Sequence, residues 1–361
     1  MDQYVCSRCN KSYEINPSIW RCSCGGLLDL DKQKCELNKI KHSLPSLWRY
    51  NQAIPVNDWI DTTMGEGYTS LIPIDKNTSH SYFKMDYMMP TSSFKDRGAA
   101  VLISKAKELN VKHIIVDSSG NAGNAFAAYA KRVDMECDVY INDKTSPNKI
   151  KQLKSYDANI YKISGTREDV AQAAQNAVDE TGRFYASHVF NPYFFEGTKT
   201  YAFETWEQLG HVPDAMIVPV GNGTLLLGVY YGFKELYHQN IVDKMPKIIA
   251  IQSENCAPIS EAFNLGLSDY KKIQSKETSA EGIAIAKPLR APQILEAVRN
   301  TQGTFYTVNE NEIMQASRDL SNSGIFVEKT TAVNYAGFLK YKKKDSEIVV
   351  VPLCGSGLKS L

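Results

Sequence analysis

AMIVPVGNGTLLLGVYYGF, residues 215–233, is the longest uncharged run of the chain, and its reading decides the architecture. Its length approaches that of a membrane-spanning helix, which needs about 20 apolar residues, but Pro219, Gly221, Asn222, Gly223 and Gly228 interrupt it. Inside lipid, backbone groups freed at such breaks find no partner. The run therefore reads as a buried strand, a tight turn and a helix.

Working outward, short β-branched runs recur at Ile114-Ile115-Val116, Val139-Tyr140-Ile141, Ile160-Tyr161-Lys162-Ile163, Ile248-Ile249-Ala250-Ile251 and Ile348-Val349-Val350-Val351. Helical patterns lie between or after them at residues 97–110, 121–132, 167–179, 197–209, 225–236, 310–321 and 331–342. That alternation predicts an α/β protein with parallel sheets. A length of 361 residues suggests roughly two domains. Residues 31–61 show no periodicity and read as a connector with short helical pieces.

The 41 Lys and Arg against 40 Asp and Glu leave a net charge of +1, which creates no field to gather phosphate backbones or anionic lipid. Small molecules are the expected partners, with neither nucleic acid nor membrane. The N-terminal residues carry neither a basic region nor an apolar run, which predicts cytoplasmic residence. In a reducing compartment the eight cysteines need another explanation than disulfides. Cys6, Cys9, Cys22 and Cys24 follow a C-x2-C-x12-C-x-C spacing, with Gly25 and Gly26 behind them. This predicts a tetrahedral, structural zinc site in an N-terminal zinc ribbon. Cys35, Cys137, Cys256 and Cys354 show no pairing logic.

Three strand-to-loop transitions are rich in small and hydroxylated residues: Ser118-Ser119-Gly120-Asn121-Ala122-Gly123, Gly221-Asn222-Gly223-Thr224-Leu225, and Cys354-Gly355-Ser356-Gly357. Each suits an anion held by backbone amides at a helix start, or serves as a capped turn. None matches the Walker loop or the dinucleotide fingerprint. Lys95, beside Phe94 and just ahead of a helix, is either a desolvated amine able to form a Schiff base or a surface lysine.

Together these segments resemble the threonine synthases, a branch of the fold type II pyridoxal-phosphate enzymes. Residues 65–71 (GEGYTSL) look like the family's GEGxTPL, residues 90–97 (PTSSFKDR) like part of its NPTGSFKDR, and Ser119-Gly120-Asn121 like its SGN loop. Asn191-Pro192-Tyr193 with Glu196-Gly197-Thr198-Lys199-Thr200 resembles NPY-x2-EGQKT, residues 219–223 match PVGNG, and residues 355–359 resemble GHGLK.

The resemblance implies two open parallel-sheet domains plus the zinc ribbon. The ribbon would be residues 1–35, the large cofactor-binding domain 36–84 with 206–361, and a smaller mobile domain 85–205. A homodimer is implied as well. Lys95 would carry pyridoxal 5'-phosphate and move the substrate proton. Phe94, Asn121, Gly221, Asn222, Gly223, Thr224, Leu225, Cys354 and Ser356 would contact the cofactor. Ser118, Ser119, Gly120, Ala122 and Gly123 would bind the carboxylate of an amino-acid substrate, and Lys84 and Asn191 its phosphate. The implied reaction converts O-phosphohomoserine and water to threonine and phosphate.

Several positions depart from the family pattern. Met89 and Ser92 replace Asn and Gly, Thr198 replaces Gln, Lys329 falls in an altered Glu-Pro-Ala-Ser segment, and Cys354 replaces the Thr expected at the pyridine nitrogen. A thiol is the weaker hydrogen-bond donor. The alternative is β-replacement or β-elimination on O-phosphoserine, serine or a related amino acid, as in cysteate synthase or diaminopropionate-forming enzymes. A binding factor built on the cysteine module with a degenerate enzyme body is a third reading, opposed by the near-zero net charge.

Overall fold

A computed structural model describes residues 2–31, 36, 37, 39–75 and 78–360, and Cys35 falls outside them. The uncharged opening stretch resolves into the strand Ala215–Pro219 and the helix Thr224–His238. Among the described residues no helix is long and apolar enough to cross a membrane. The chain divides into two compact units, Met1–Gly67 with Lys95–Gly197, and Tyr68–Phe94 with Thr198–Leu361.

The first unit is built on a parallel sheet in the order Asn159–Ile163, Glu136–Asn142, His113–Val116, Phe184–Tyr185. Ile114, Val116 and Val139 are fully buried, as a parallel sheet covered by helices requires. The helix Asn121–Arg132 presents Ala122, Ala125, Phe126 and Ala127 to the same core; its small residues permit close approach to the strands. From His113–Val116 the chain continues to Glu136–Asn142 on one side, and Phe184–Tyr185 later pairs on the other. Such a reversal of strand order opens a crevice at the carboxyl ends, where α/β sheets bind ligands.

This unit also contains the N-terminal module, in which Gln3–Cys6 pairs antiparallel with Ser12–Glu14 and Leu28–Asp31. Tyr4, Cys6, Cys22 and Leu28 share one buried cluster with Leu47, Trp48, Phe126 and Phe194. The Trp20 indole donates to Asp179 at 3.0 Å and meets the Tyr185 ring edge-on at 5.1 Å. Residues 36–67 differ from expectation, since they belong to this unit and not to the one that holds residues 206–361. The physical reason is Glu66, which is buried and accepts from Trp48 Nε1 at 2.6 Å and Tyr129 Oη at 3.0 Å.

The second unit has a six-stranded sheet in the order Thr304–Val308, Lys247–Ser253, Ala215–Pro219, Val349–Pro352, Thr78–Lys84, Leu71–Asp75. All pairs are parallel except the last. Ala215–Pro219 and Val349–Pro352 flank this sheet's own reversal, so the turns beginning at Val220 and Leu353 leave adjacent strand ends. Helices Pro258–Asn264 and Ala291–Asn300 and the strands Thr78–Lys84 and Thr304–Val308 complete it. The chain passes between units after Gly67, Phe94 and Gly197.

Candidate active site

In the first unit, the turn after His113–Val116 is closed by its own side chain, with Ser118 Oγ accepting from Gly120 N–H at 3.3 Å. A Cβ on Gly123 would stand 1.7 Å from Ser118 O, so only glycine lets the helix start this close to the loop. Gly120 is the extended N-cap, and Asn121 occupies the first helical position. Ser119, Gly120, Asn121, Ala122 and Gly123 thus surround a helix N-terminus, whose free N–H groups and positive dipole end suit a carboxylate.

Lys95 opens the helix Lys95–Glu108, half-buried, with Nζ 5.5 Å from the centroid of the Phe194 ring. Phe194 is fixed from behind, because a Cβ on Gly98 would meet its ring atoms at 2.5 Å. Asn191 is buried and uses Oδ1 to accept from Tyr193 N–H at 3.0 Å, opening the Tyr193–Thr198 turn of helix. His188 escaped the sequence reading. It follows the strand Phe184–Tyr185, is 6% exposed, and places its ring 6.0 Å from that of Phe194. Burial first, then the charges of Lys95 and Arg167, hold its imidazole well below the ordinary value, hence neutral. Its Nδ1 has no partner among the described residues. The Ser187-His188 pair sits outside every quoted motif, and only its place at a strand end marks it.

In the second unit, Gly223 takes φ +78 as the N-cap of Thr224–His238. Side chains at Gly221 and Gly223 would press on Ile285 at 2.9 Å and Ile294 at 2.4 Å respectively. The glycines therefore let the loop pack against these isoleucines while the helix start presents its amides. Thr224 and Leu225 are buried at this start, and Asn222 is half-buried. Cys354 and Ser356 lie beyond the neighbouring strand; Cys354 O accepts from Phe94 N–H at 2.8 Å, and Ser356 N–H donates to Ser92 O at 3.0 Å. Met89 is buried at 4% exposure.

The structure places Lys84 in a buried ion pair. Its ammonium is fully buried and donates to Thr69 O at 2.6 Å, Thr69 Oγ1 at 2.9 Å and Glu204 Oε2 at 2.8 Å. An ammonium has three donors, and these three acceptors engage them, which leaves none for a substrate phosphate.

At the N-terminus, the sulfurs of Cys6, Cys9, Cys22 and Cys24 lie within 4.8 Å of one another. Cys6 and Cys24 are 3.6 Å apart, and Cys9 and Cys22 3.5 Å. The Cys24 backbone, then the Tyr13 hydroxyl, lower the Cys22 thiol to about 6.

Comparison with known proteins supplies the relationship. The family model described as pyridoxal-phosphate dependent enzyme matches residues 62–355. The chain belongs to this family. Among curated relatives, the threonine synthase of Methanocaldococcus jannaschii is 33% identical over 374 aligned positions, covering 98% of this chain and 92% of its own. That of Methanosarcina acetivorans is 34% identical over 348, covering 93% and 85%. Among solved structures, O-ureido-L-serine synthase superposes with a TM-score of 0.70 at 20% identity, covering 85% of this chain and 94% of its own. Maize serine racemase gives 0.68 at 21%, covering 80% and 88%. Both share the fold.

The residues present suit pyridoxal phosphate. An aldehyde needs a primary amine, which Lys95 offers above an aromatic ring, and a phosphate dianion suits the glycine-flanked start of Thr224–His238.

Proposed function

We propose that this pyridoxal-phosphate-dependent enzyme is a lyase of the threonine synthase type, converting O-phosphohomoserine and water to threonine and phosphate. The observation that carries this reading is the threonine synthase relative at 33% identity across 98% of the chain. When bound, the cofactor draws electron density from the substrate and so acidifies its Cα–H bond. The chain's residues have separate tasks. Lys95 holds the cofactor and then accepts and returns the substrate proton through its amine. The amides at Ser119–Gly123 bind the substrate carboxylate, and Asn121 contacts the cofactor ring. Gly221 to Leu225 hold the cofactor phosphate, while Phe94, Cys354 and Ser356 border the ring. Phe194 and Gly98 fix the lysine's approach.

The engaged ammonium of Lys84 favours keeping one other reading, β-replacement or β-elimination on serine, O-phosphoserine or a relative, because it removes a named ligand for a phosphate on Cγ.

The cysteine cluster suits zinc. About 2.3 Å from metal to sulfur in a tetrahedron places sulfurs roughly 3.8 Å apart, close to the 3.5 and 3.6 Å found. With all four ligands from protein, the ion is structural. The family resemblance adds a homodimer to this reading.

Mass spectrometry of products from O-phosphohomoserine and, in parallel, O-phosphoserine tests it. Threonine with phosphate from the first is the expected result. No turnover of the first with an aminoacrylate-derived product from the second transfers the assignment to β-chemistry. Lys95→Ala should abolish both turnover and the visible absorbance of bound cofactor; an unchanged spectrum would remove Lys95 from its role.

A further inference from the structure

Each buried cysteine of the N-terminal module follows a buried aromatic residue by two positions, Cys6 after Tyr4 and Cys22 after Trp20. The two aromatics meet opposite ends of one active-site segment. Trp20 sets its ring edge-on against Tyr185 at 5.1 Å and Phe190 at 5.0 Å, and its indole N–H, donated to Asp179 at 3.0 Å, fixes the tilt of that ring. Tyr4 meets the Tyr193 ring edge-on at 6.3 Å. His188 and Asn191 lie between the gripped ends, and Phe194, whose ring centroid is 5.5 Å from Lys95 Nζ, follows directly.

Residues 186–192 form neither helix nor strand, so side-chain anchors and not a repeating ladder set their course. The regular elements on either side are the two-residue strand Phe184–Tyr185 and the short helix Tyr193–Thr198, and each carries one of the gripped tyrosines. On the module's side, three strands of three or four residues make a marginal sheet. A single ion shared by four sulfurs that lie within 4.8 Å of one another fixes the positions after both aromatics at once, and binding of such an ion is coupled to folding. A module that served only to recruit a separate partner would have no use for these contacts.

We propose that the cysteine module is a brace for the active site: Tyr4 and Trp20 are positioning residues that hold residues 185–194 in place beside Lys95, and zinc holds Tyr4 and Trp20. The brace presupposes Lys95 as the cofactor lysine and the four cysteines as a zinc site. Metal occupancy is thereby linked to how the cofactor is held, through the Phe194 ring next to the Lys95 amine.

Crossing Trp20→Leu with removal of zinc by chelation tests this on the holoenzyme, at a temperature where circular dichroism shows every form folded. The readouts are the absorbance maximum of bound cofactor and the cofactor's dissociation constant. Each change alone should shift the maximum and weaken cofactor binding about fivefold. The two together should cost little more than either, because both cut the same link. Trp20→Phe, which keeps an edge-on ring, should retain most of the affinity. Independent, multiplied effects, or an unmoved cofactor after either single change, would overturn the brace while leaving zinc and Lys95 in their roles. A purified protein without zinc would remove the metal reading and the proposal with it, and an unchanged spectrum in Lys95→Ala would do the same through the cofactor reading. Should Trp20→Leu not fold, Tyr4→Leu carries the cycle from the other end; should the chelated chain unfold, Cys24→Ser, which removes an exposed ligand, replaces chelation.

Discussion

Lys84 Nζ stands 2.8 Å from Glu204 Oε2, and neither side chain touches solvent. Truncating one partner of such a pair leaves a charge buried alone, at a cost of about 3–5 kcal/mol. Lys84→Met should therefore lower the melting temperature sharply, and Lys84→Met with Glu204→Leu should recover most of the loss. Scanning calorimetry checks both. A normal melting temperature with a raised KM for a phosphorylated substrate would return Lys84 to the substrate.

The same pair shows where the sequence stops being legible. Lys84 is placed at the substrate phosphate by the family resemblance alone; its partner lies 120 positions away in the helix Thr200–Leu209, and no local pattern announces it. The parallel strands and the helix Asn121–Arg132 were legible because burial on both faces leaves continuous apolar runs and small-residue stripes. The strand Phe184–Tyr185 was not, since two residues carry no periodicity. Residues 31–61 read as a connector because their anchor Trp48 is fixed by long-range burial against Glu66. The turns at Gly123 and Gly223 were legible, as steric need for glycine leaves a mark in sequence. His188 left none.

Glu66 gathers two remote donors, Trp48 Nε1 and Tyr129 Oη at 3.0 Å, and two adjacent ones, Met64 N–H at 2.8 Å and Thr63 Oγ1 at 3.1 Å. A carboxylate accepts on both oxygens, whereas an amide presents donors on one side. Glu66→Gln should destabilise the first unit by about 1–3 kcal/mol through opposed donors, and Trp48 fluorescence should report the earlier unfolding. An unchanged transition would mean that Glu66 is not the anchor of this segment.

Cys6 and Cys22 lie within the core cluster of the first unit, so metal loss should be felt beyond the module. The purified protein should carry about one zinc per chain. Prolonged chelation should release it and lower the melting temperature, because binding of a structural metal is coupled to folding. Elemental analysis alongside calorimetry checks this; a metal-free protein of full stability would refute the zinc assignment.

His188 gives the unit an acid sensitivity whose sign follows from its lowered proton affinity. Burial, reinforced by Lys95 and Arg167, holds the folded imidazole well below its ordinary value. The unfolded chain, titrating near about 6.5, then binds the proton more tightly than the folded one. The contribution is present in full above that unfolded value and is lost as pH falls below it toward the folded one. Asp117 works oppositely: burial raises its carboxyl, with Arg167 and then Tyr185 drawing it partly back, so its effect favours the folded state at low pH. That term operates from about 3.9 upward, and a difference measurement separates it from the imidazole's. His188→Gln should flatten the fall in melting temperature between roughly pH 7 and 5 relative to the parent, while Asp117→Asn should leave that fall intact or steepen it. Equal slopes in parent and His188→Gln would mean that the buried imidazole is not the group responsible.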